Sequence, residues 1–254
     1  MEIKDIKDIN DEIIKVWKKY GKVERGPLVP MQFSEKEFKK NVDVLFIGMN
    51  PSYVEKDLKA AWEEKKSKKE FKTDFSYEFS TIDDEEHLKE IIALDADKPN
   101  NRFFDKIRSI FEESQFDSLK DRSWEMIDLF FIRKTEATDV TTMIYKNGKE
   151  NKGLNYWAEE QIKIVKDLVK LANPKVIVVI NAVSTKILKN EILGEDKDKG
   201  PKSDKFNYEI GTYETDYFGT EKGCIPIFFS GQLKYEARPS FERFCWQLSR
   251  CFAK

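Results

Sequence analysis

Apolar residues recur at helical spacing in several stretches of the chain. Between residues 2 and 20, isoleucines, a valine and a tryptophan repeat every three or four positions among charged residues, which predicts an amphipathic helix. Between residues 34 and 40, Ser34 and Glu37 fit a capping box at the start of a short helix. The remaining helices are predicted over residues 100–113, 155–171, 184–192 and 239–251.

Short, continuously apolar runs predict buried strands. The strongest run covers residues 175–181 and is apolar on both faces, which is typical of a central, parallel strand. Further strands are predicted over residues 44–47, 124–132 and 225–229, with a hairpin over 206–218. Alternating strands and helices indicate an α/β fold, and we expect a three-layer α/β/α sandwich around a mostly parallel sheet of about four or five strands.

The first predicted strand ends at a group of residues suited to a ligand site. It runs into Gly48, Met49, Asn50 and Pro51. Gly48 permits a close approach of another group, and Pro51 favours an extended Asn50. Ligands of open α/β sheets bind beyond the carboxyl ends of the strands, so the Asn50 amide is a candidate ligand contact. The alternative is a plain turn in which Asn50 bonds to its own backbone.

These four residues resemble the first active-site motif, G-[MI]-N-P-G, of the uracil-DNA glycosylase superfamily. The likeness is closest to its single-strand-selective and mismatch-specific (thymine-DNA glycosylase-like) branches. Asn101, Arg102 and Phe103 are similar to the N-R-F-W segment that begins a helix in the mismatch-specific branch. The resemblance spans about residues 41 to 251. It implies a single uracil-DNA glycosylase-like domain over residues 1–254, with an N-terminal helical extension at about 1–40.

The last strand is followed by a degenerate second motif. Ser230, Gly231, Gln232 and Leu233 stand where the superfamily has H-P-S-P or N-P-S-G, and its histidine and proline are missing. The resemblance implies that Ser230 and Gln232 donate hydrogen bonds to the base or a phosphate. It also implies that Leu233 fills the gap left by a flipped base.

The implied activity is a DNA glycosylase that hydrolyses the N-glycosidic bond of a deaminated or mismatched base, such as uracil, after flipping it out of the helix. Asn50 would position the attacking water, and because a neutral amide is a poor base, we expect slow turnover. The amides of Met49 and Ser52 would contact the base, and Tyr53 would stack on it. The residues expected to contact the substrate are Gly48, Met49, Pro51, Ser52, Tyr53, Arg102, Ser230, Gly231, Gln232 and Leu233.

Composition limits the partners of the chain. Its 254 residues are 40% hydrophobic and 36% charged, with a net charge of −2, so DNA binding requires a local basic patch. The lysine-rich stretch at 65–69 is better explained as a solvated surface than as a phosphate site. His87, the one histidine, stands in an acidic helix start and is expected to be exposed. A catalytically inactive, glycosylase-like binding module remains the alternative. A nucleotide hydrolase is disfavoured because neither nucleotide-binding glycine motif is present.

The cysteines and the N-terminus indicate the compartment. Cys224, Cys245 and Cys251 match no zinc or redox spacing and are too few for an iron–sulfur cluster. We therefore expect no metal and no cofactor. The first residues are charged, and no apolar run reaches membrane-spanning length. These features favour a cytoplasmic monomer that does not contact a membrane.

Overall fold

A computed structural model of the chain describes residues 5–20, 31–50, 63, 104–131, 137–194, 205–231, 233 and 236–253. Contacts divide the chain into two compact units. The first unit comprises Met1–Phe38, Asn50–Pro99 and Asp128–Val165, and the second comprises Lys39–Met49, Asn100–Ile127 and Lys166–Lys254. The lysine-rich stretch at 65–69 and His87 lie outside the described residues.

The first unit contains helices α1 (Ile6–Tyr20) and α3 (Ala137–Ile144) and the first part of α4 (Tyr156–Ala172). Helix α1 begins after Asp5, whose carboxylate accepts a hydrogen bond from the Asp8 amide at 2.9 Å. Helix α4 begins after Asn155, whose side-chain oxygen accepts from the Ala158 amide at 2.9 Å. The predicted apolar stripe of α1 is buried, at Ile6, Ile9, Ile13 and Trp17.

The prediction of a short helix at 34–40 is wrong. The structure has a single turn there, closed by the Phe38 amide donating to the Ser34 carbonyl at 3.0 Å. The next amide, that of Lys39, donates to the Glu125 carboxylate at 2.9 Å. Because this amide bonds to a distant side chain rather than to the preceding turn, the helix does not propagate.

The second unit contains most of a six-stranded sheet with the order β2-β1-β3-β6-β5-β4. The strands are β1 (Val44–Gly48), β2 (Trp124–Asp128), β3 (Val176–Val179), β4 (Phe206–Asn207), β5 (Thr212–Thr215) and β6 (Ile225–Phe229). Strand β3 is parallel to both of its neighbours, β1 and β6, which confirms the predicted central, parallel strand. The hairpin β4–β5 is antiparallel and adds to β6, so the sheet has more strands than expected.

Both faces of the sheet are covered. One face packs on α2 (Asp105–Glu112) and α6 (Arg238–Arg250), where Phe46, Val178 and Phe228 share a core with Phe111 and Phe244. The side chains that alternate with these are also fully buried, at Leu45, Ile47, Ile177, Val179 and Ile227. The mixed α/β fold predicted from the alternating pattern is therefore confirmed. Helix α5 (Ala182–Leu193) follows β3, as predicted.

Candidate functional site

The carboxyl ends of three parallel strands meet at one edge of the sheet. There the Ile180 amide donates to the Ile47 carbonyl at 3.0 Å, and the Ser230 amide donates to the Val179 carbonyl at 2.8 Å. Strand β3 lies between β1 and β6. Because neighbouring strands are spaced by about 4.8 Å, Gly48 and Ser230 are separated by about 10 Å across the end of β3.

The strand order makes this edge a topological switch point. The chain passes from β1 to β2 on one side and returns to β3 on the other. In open α/β sheets the crevice at such a reversal is the usual place for a ligand. We call the segments Gly48–Met49 and Ser230–Gly231 the rim.

The first turn of α5 ties the two rim segments together. The Ser184 hydroxyl, which is fully buried, donates to the Gly48 carbonyl at 3.0 Å. The Thr185 hydroxyl donates to the Ser230 carbonyl at 3.1 Å. Adjacent hydroxyls on one helix turn thus hold the ends of β1 and β6, and we call this pair the hydroxyl latch.

Asn181 fixes the latch in place. Its backbone is extended, and its side-chain oxygen accepts from the amides of Val183 at 2.8 Å and Ser184 at 3.4 Å. This N-cap sets where α5 starts, so it also determines which residues carry the two hydroxyls.

The predicted first motif lies only partly in the described chain. Gly48 ends β1, Met49 is buried, and Asn50 is half-buried. Asn50 is the second residue after β1 and is joined to the rim through Met49. The expected contacts outside the described residues are Pro51, Ser52, Tyr53, Arg102 and Gln232.

The second motif is only partly at the rim. Ser230 and Gly231 are half-buried at the end of β6. Leu233, by contrast, is 3% exposed and belongs to the core beneath the sheet. A side chain packed in the core cannot enter a DNA stack in this conformation, so the expected wedge role of Leu233 is corrected.

Glu236 lies beside the rim and was not predicted from the sequence. Its carboxylate packs against Gly231 so closely that a Cβ added there would lie 3.0 Å from Oε1. Its amide donates to the Leu233 carbonyl at 3.2 Å, and its carbonyl accepts from Lys106 Nζ at 3.2 Å. The rim therefore has an ionisable acid beside the second motif. Glu236 belongs to no motif or periodic pattern in the sequence, so it was not found there.

The ion cluster at the opposite edge of the sheet is structural. Asp43 precedes β1 and accepts hydrogen bonds from Lys175 at 2.8 Å and from the Ser123 hydroxyl at 3.0 Å. Burial alone would raise the pKa of Asp43, but these hydrogen bonds together hold the pKa below its usual value. A carboxylate with its acceptors occupied by the protein is suited to joining strand ends rather than to chemistry.

The thiols give no sign of a reactive or metal-binding site. Cys245 is buried, Cys251 is half-buried and Cys224 is exposed. Burial raises the pKa of Cys245 to about 11 and that of Cys251 to about 12, which keeps both thiols protonated near neutral pH. Within the described part of the chain, no three His, Cys, Asp or Glu side chains group as metal ligands.

Comparison with known proteins adds no identification. The chain matches none of the family models and none of the curated proteins with which it was compared. Among the helices that the structure describes, none combines the length and the apolar character needed to cross a membrane.

Proposed function

We propose that the chain is a monofunctional DNA base-excision glycosylase of the uracil-DNA glycosylase superfamily. The observation that carries the proposal is the rim itself: Gly48 of the first motif and Ser230 of the second stand at one edge of the sheet, on either side of β3. The three-layer architecture of that superfamily belongs to the same proposal. So do a DNA partner, a monomeric state and a cytoplasmic location.

The proposed reaction requires little acid–base chemistry from the protein. A flipped deoxynucleotide breaks its glycosidic bond through an oxocarbenium-like sugar, while negative charge develops on the leaving base. Asn50 would orient the water that attacks the sugar, and the amides of Met49 and Ser52 would donate to the base. Preplaced donors of this kind contribute roughly 3–4 kcal/mol each to lowering the barrier.

The hydroxyl latch supports this role for the rim. Catalysis by positioning loses about 100-fold when a group shifts by about 1 Å. Ser184 and Thr185 fix the carbonyls of Gly48 and Ser230, so the backbone on either side of β3 is held by one rigid helix turn. Glu236 beside Gly231 would be an ionisable group next to the second motif.

A binding module without excision activity is the second candidate. The burial of Leu233 in the core favours it, because a glycosylase acting on a duplex has to fill the gap left by the flipped base. Single-stranded DNA has no such gap, so the same observation directs the glycosylase proposal towards a single-stranded substrate.

Short oligonucleotides distinguish the two candidates. The substrates are single-stranded DNA containing uracil or hypoxanthine and duplex DNA containing a mismatched thymine. We expect at least one of these substrates to acquire an alkali-labile site. A shifted band without strand breakage for every base would favour the binding module. Release of base from free nucleotides alone would contradict both candidates.

A further inference from the structure

Four aromatic side chains form a continuous row across the outer strands of the sheet. Phe229 of β6 lies 6.2 Å from Tyr213 of β5, measured between ring centroids. Tyr213 lies 5.1 Å from Phe206 of β4, and Phe206 lies 5.0 Å from Tyr208 in the following turn. We call these four residues the aromatic row. It begins next to Ser230 of the rim and ends at the outer edge of the sheet.

Strand register places Phe206, Tyr213 and Phe229 of the row on the face opposite α6. Tyr213 pairs with Ile227 and Phe206 pairs with Tyr213, so these side chains project from one face. Phe229 lies two residues after Ile227, on the same face. The core with α2 and α6 contains the alternate residue, Phe228.

The rings are only partly covered. Phe206, Tyr213 and Phe229 are half-buried, and Tyr208 is 80% exposed. Cross-strand pairing accounts for Phe206 opposite Tyr213, but it does not account for an aromatic ring held almost entirely in water. The contacts are edge-to-face, so each contact covers one face of only one ring in the pair.

One lysine contacts the row at Phe229, and another precedes Phe206 in the chain. Lys189 Nζ lies 5.5 Å from the centre of the Phe229 ring. Lys205 immediately precedes Phe206, and its Nζ donates to the Ile192 carbonyl at 2.9 Å. The nearby carboxylates are Glu191, which accepts from the Tyr217 hydroxyl, Glu214, which accepts from the Asn207 amide on the other face, and the exposed Glu209.

We propose that the aromatic row binds single-stranded nucleic acid and leads the strand towards the rim. Aromatic side chains spaced along a surface with accompanying lysines are what sequence-tolerant single-strand binding requires, because every base has a face that can stack. Because Phe229 directly precedes Ser230, a strand bound along the row would reach the rim. The role of the rim as the site of base excision rests on the proposed function, whereas binding to the row does not depend on base excision.

The test measures binding of a fluorescently labelled oligothymidylate of normal bases, which no glycosylase would cleave. Fluorescence anisotropy compares the full-length protein with Tyr208→Leu and Tyr208→Phe. Removing one stacking ring weakens single-strand binding by about 5- to 150-fold, whereas Phe restores it. Since Tyr208 is 80% exposed, neither change disturbs folding, which circular dichroism checks.

Two further variants sharpen the comparison. Tyr156→Leu removes another exposed ring, 52% accessible, from the start of α4, and binding should be unchanged. Lys189→Gln should reduce the slope of log affinity against log salt by about 0.7, the value for one phosphate contact on a single strand.

Three results would overturn the inference: no binding of the oligonucleotide by the wild type, equal loss with Tyr156→Leu and Tyr208→Leu, or a duplex bound more tightly than the single strand. Binding through the row without base excision would defeat the proposed function and leave this inference standing. Base excision by the wild type, together with unchanged oligonucleotide binding by Tyr208→Leu, would support the proposed function and defeat this inference.

Discussion

Replacing Ser184 by alanine tests whether the hydroxyl latch holds the rim. The Ser184 side chain is fully buried, and its hydroxyl donates to the Gly48 carbonyl at 3.0 Å. Removing the hydroxyl leaves that carbonyl without this donor, and a buried polar group that loses its partner costs about 1–3 kcal/mol. Alanine recovers a few tenths of a kcal/mol through its higher helix propensity. We therefore expect a net loss of about 1–2 kcal/mol in the free energy of unfolding.

The matched control is Ser240→Ala. Ser240 is the third residue of α6, as Ser184 is the third residue of α5, but Ser240 is exposed. The chemical change and the helix position are the same, so the control should stay within about 0.5 kcal/mol of the wild type. Urea denaturation monitored by circular dichroism measures both variants.

The latch account also predicts an effect on activity. Ser184→Ala should slow any base excision more than Ser240→Ala does, because it loosens the backbone next to the first motif. Equal unfolding free energies for the two alanine variants would refute the reasoning. The reasoning would also be refuted if the Ser184→Ala protein were destabilised but still excised bases at the wild-type rate.

Three other predictions follow from single side chains. Asn181→Ala removes the N-cap of α5 and should lower the unfolding free energy by about 0.5–2 kcal/mol, while aspartate at the same position should retain most of it; urea denaturation measures both. The lowered pKa of Asp43 means that its contribution to stability is fully present above the usual carboxyl pKa of 3.8 and is lost as the pH falls below it. Unfolding midpoints between pH 6 and 2 should therefore decline less steeply in Asp43→Asn. With a thiol-reactive dye at pH 8, Cys224 should react in the native protein, whereas Cys245 and Cys251 should react only after unfolding, because burial raises the pKa of both thiols. A fast phase that survives in Cys224→Ser would contradict this assignment.

The elements that the sequence predicted well are those with long, periodic or uniform patterns. The run at 175–181 is apolar at every core position, and it became the strand between two parallel neighbours. Helices α1 and α4 have apolar stripes that recur over three turns or more, and each lies where the spacing placed it. Helices α5 and α6 lie within two residues of their predicted bounds. Burial of a continuous face determines such elements, so the sequence pattern alone is sufficient.

The elements that were missed depend on distant partners or on very short segments. Strand β4 has only two residues and lies in the predicted hairpin, but the sheet has six strands rather than the expected four or five. The turn at 34–38 has a helix-capping sequence, but its next amide bonds to Glu125. Helix α3 was not predicted at all.

The rim was predictable in its location but not in its construction. The end of the first strand was recognisable because glycine and Asn-Pro follow an apolar run. The hydroxyl latch could not be predicted from the sequence, because Ser184 and Thr185 bond to carbonyls that are 136 and 45 residues away in the chain. Leu233 was expected to act as a wedge because of its place in the second motif, and one leucine after a polar turn has no period that indicates burial. Its packing in the structure places it in the core.

The most direct measurement of the central claim is the single-turnover rate of base excision by Asn50→Ala on the oligonucleotide that the wild type cuts best. Asn190→Ala, an exposed asparagine on α5, serves as the control. If Asn50 positions the attacking water, its loss should slow excision by at least about 100-fold while the fold and the control are unaffected. Excision by Asn50→Ala at the rate of the wild type would contradict the claim.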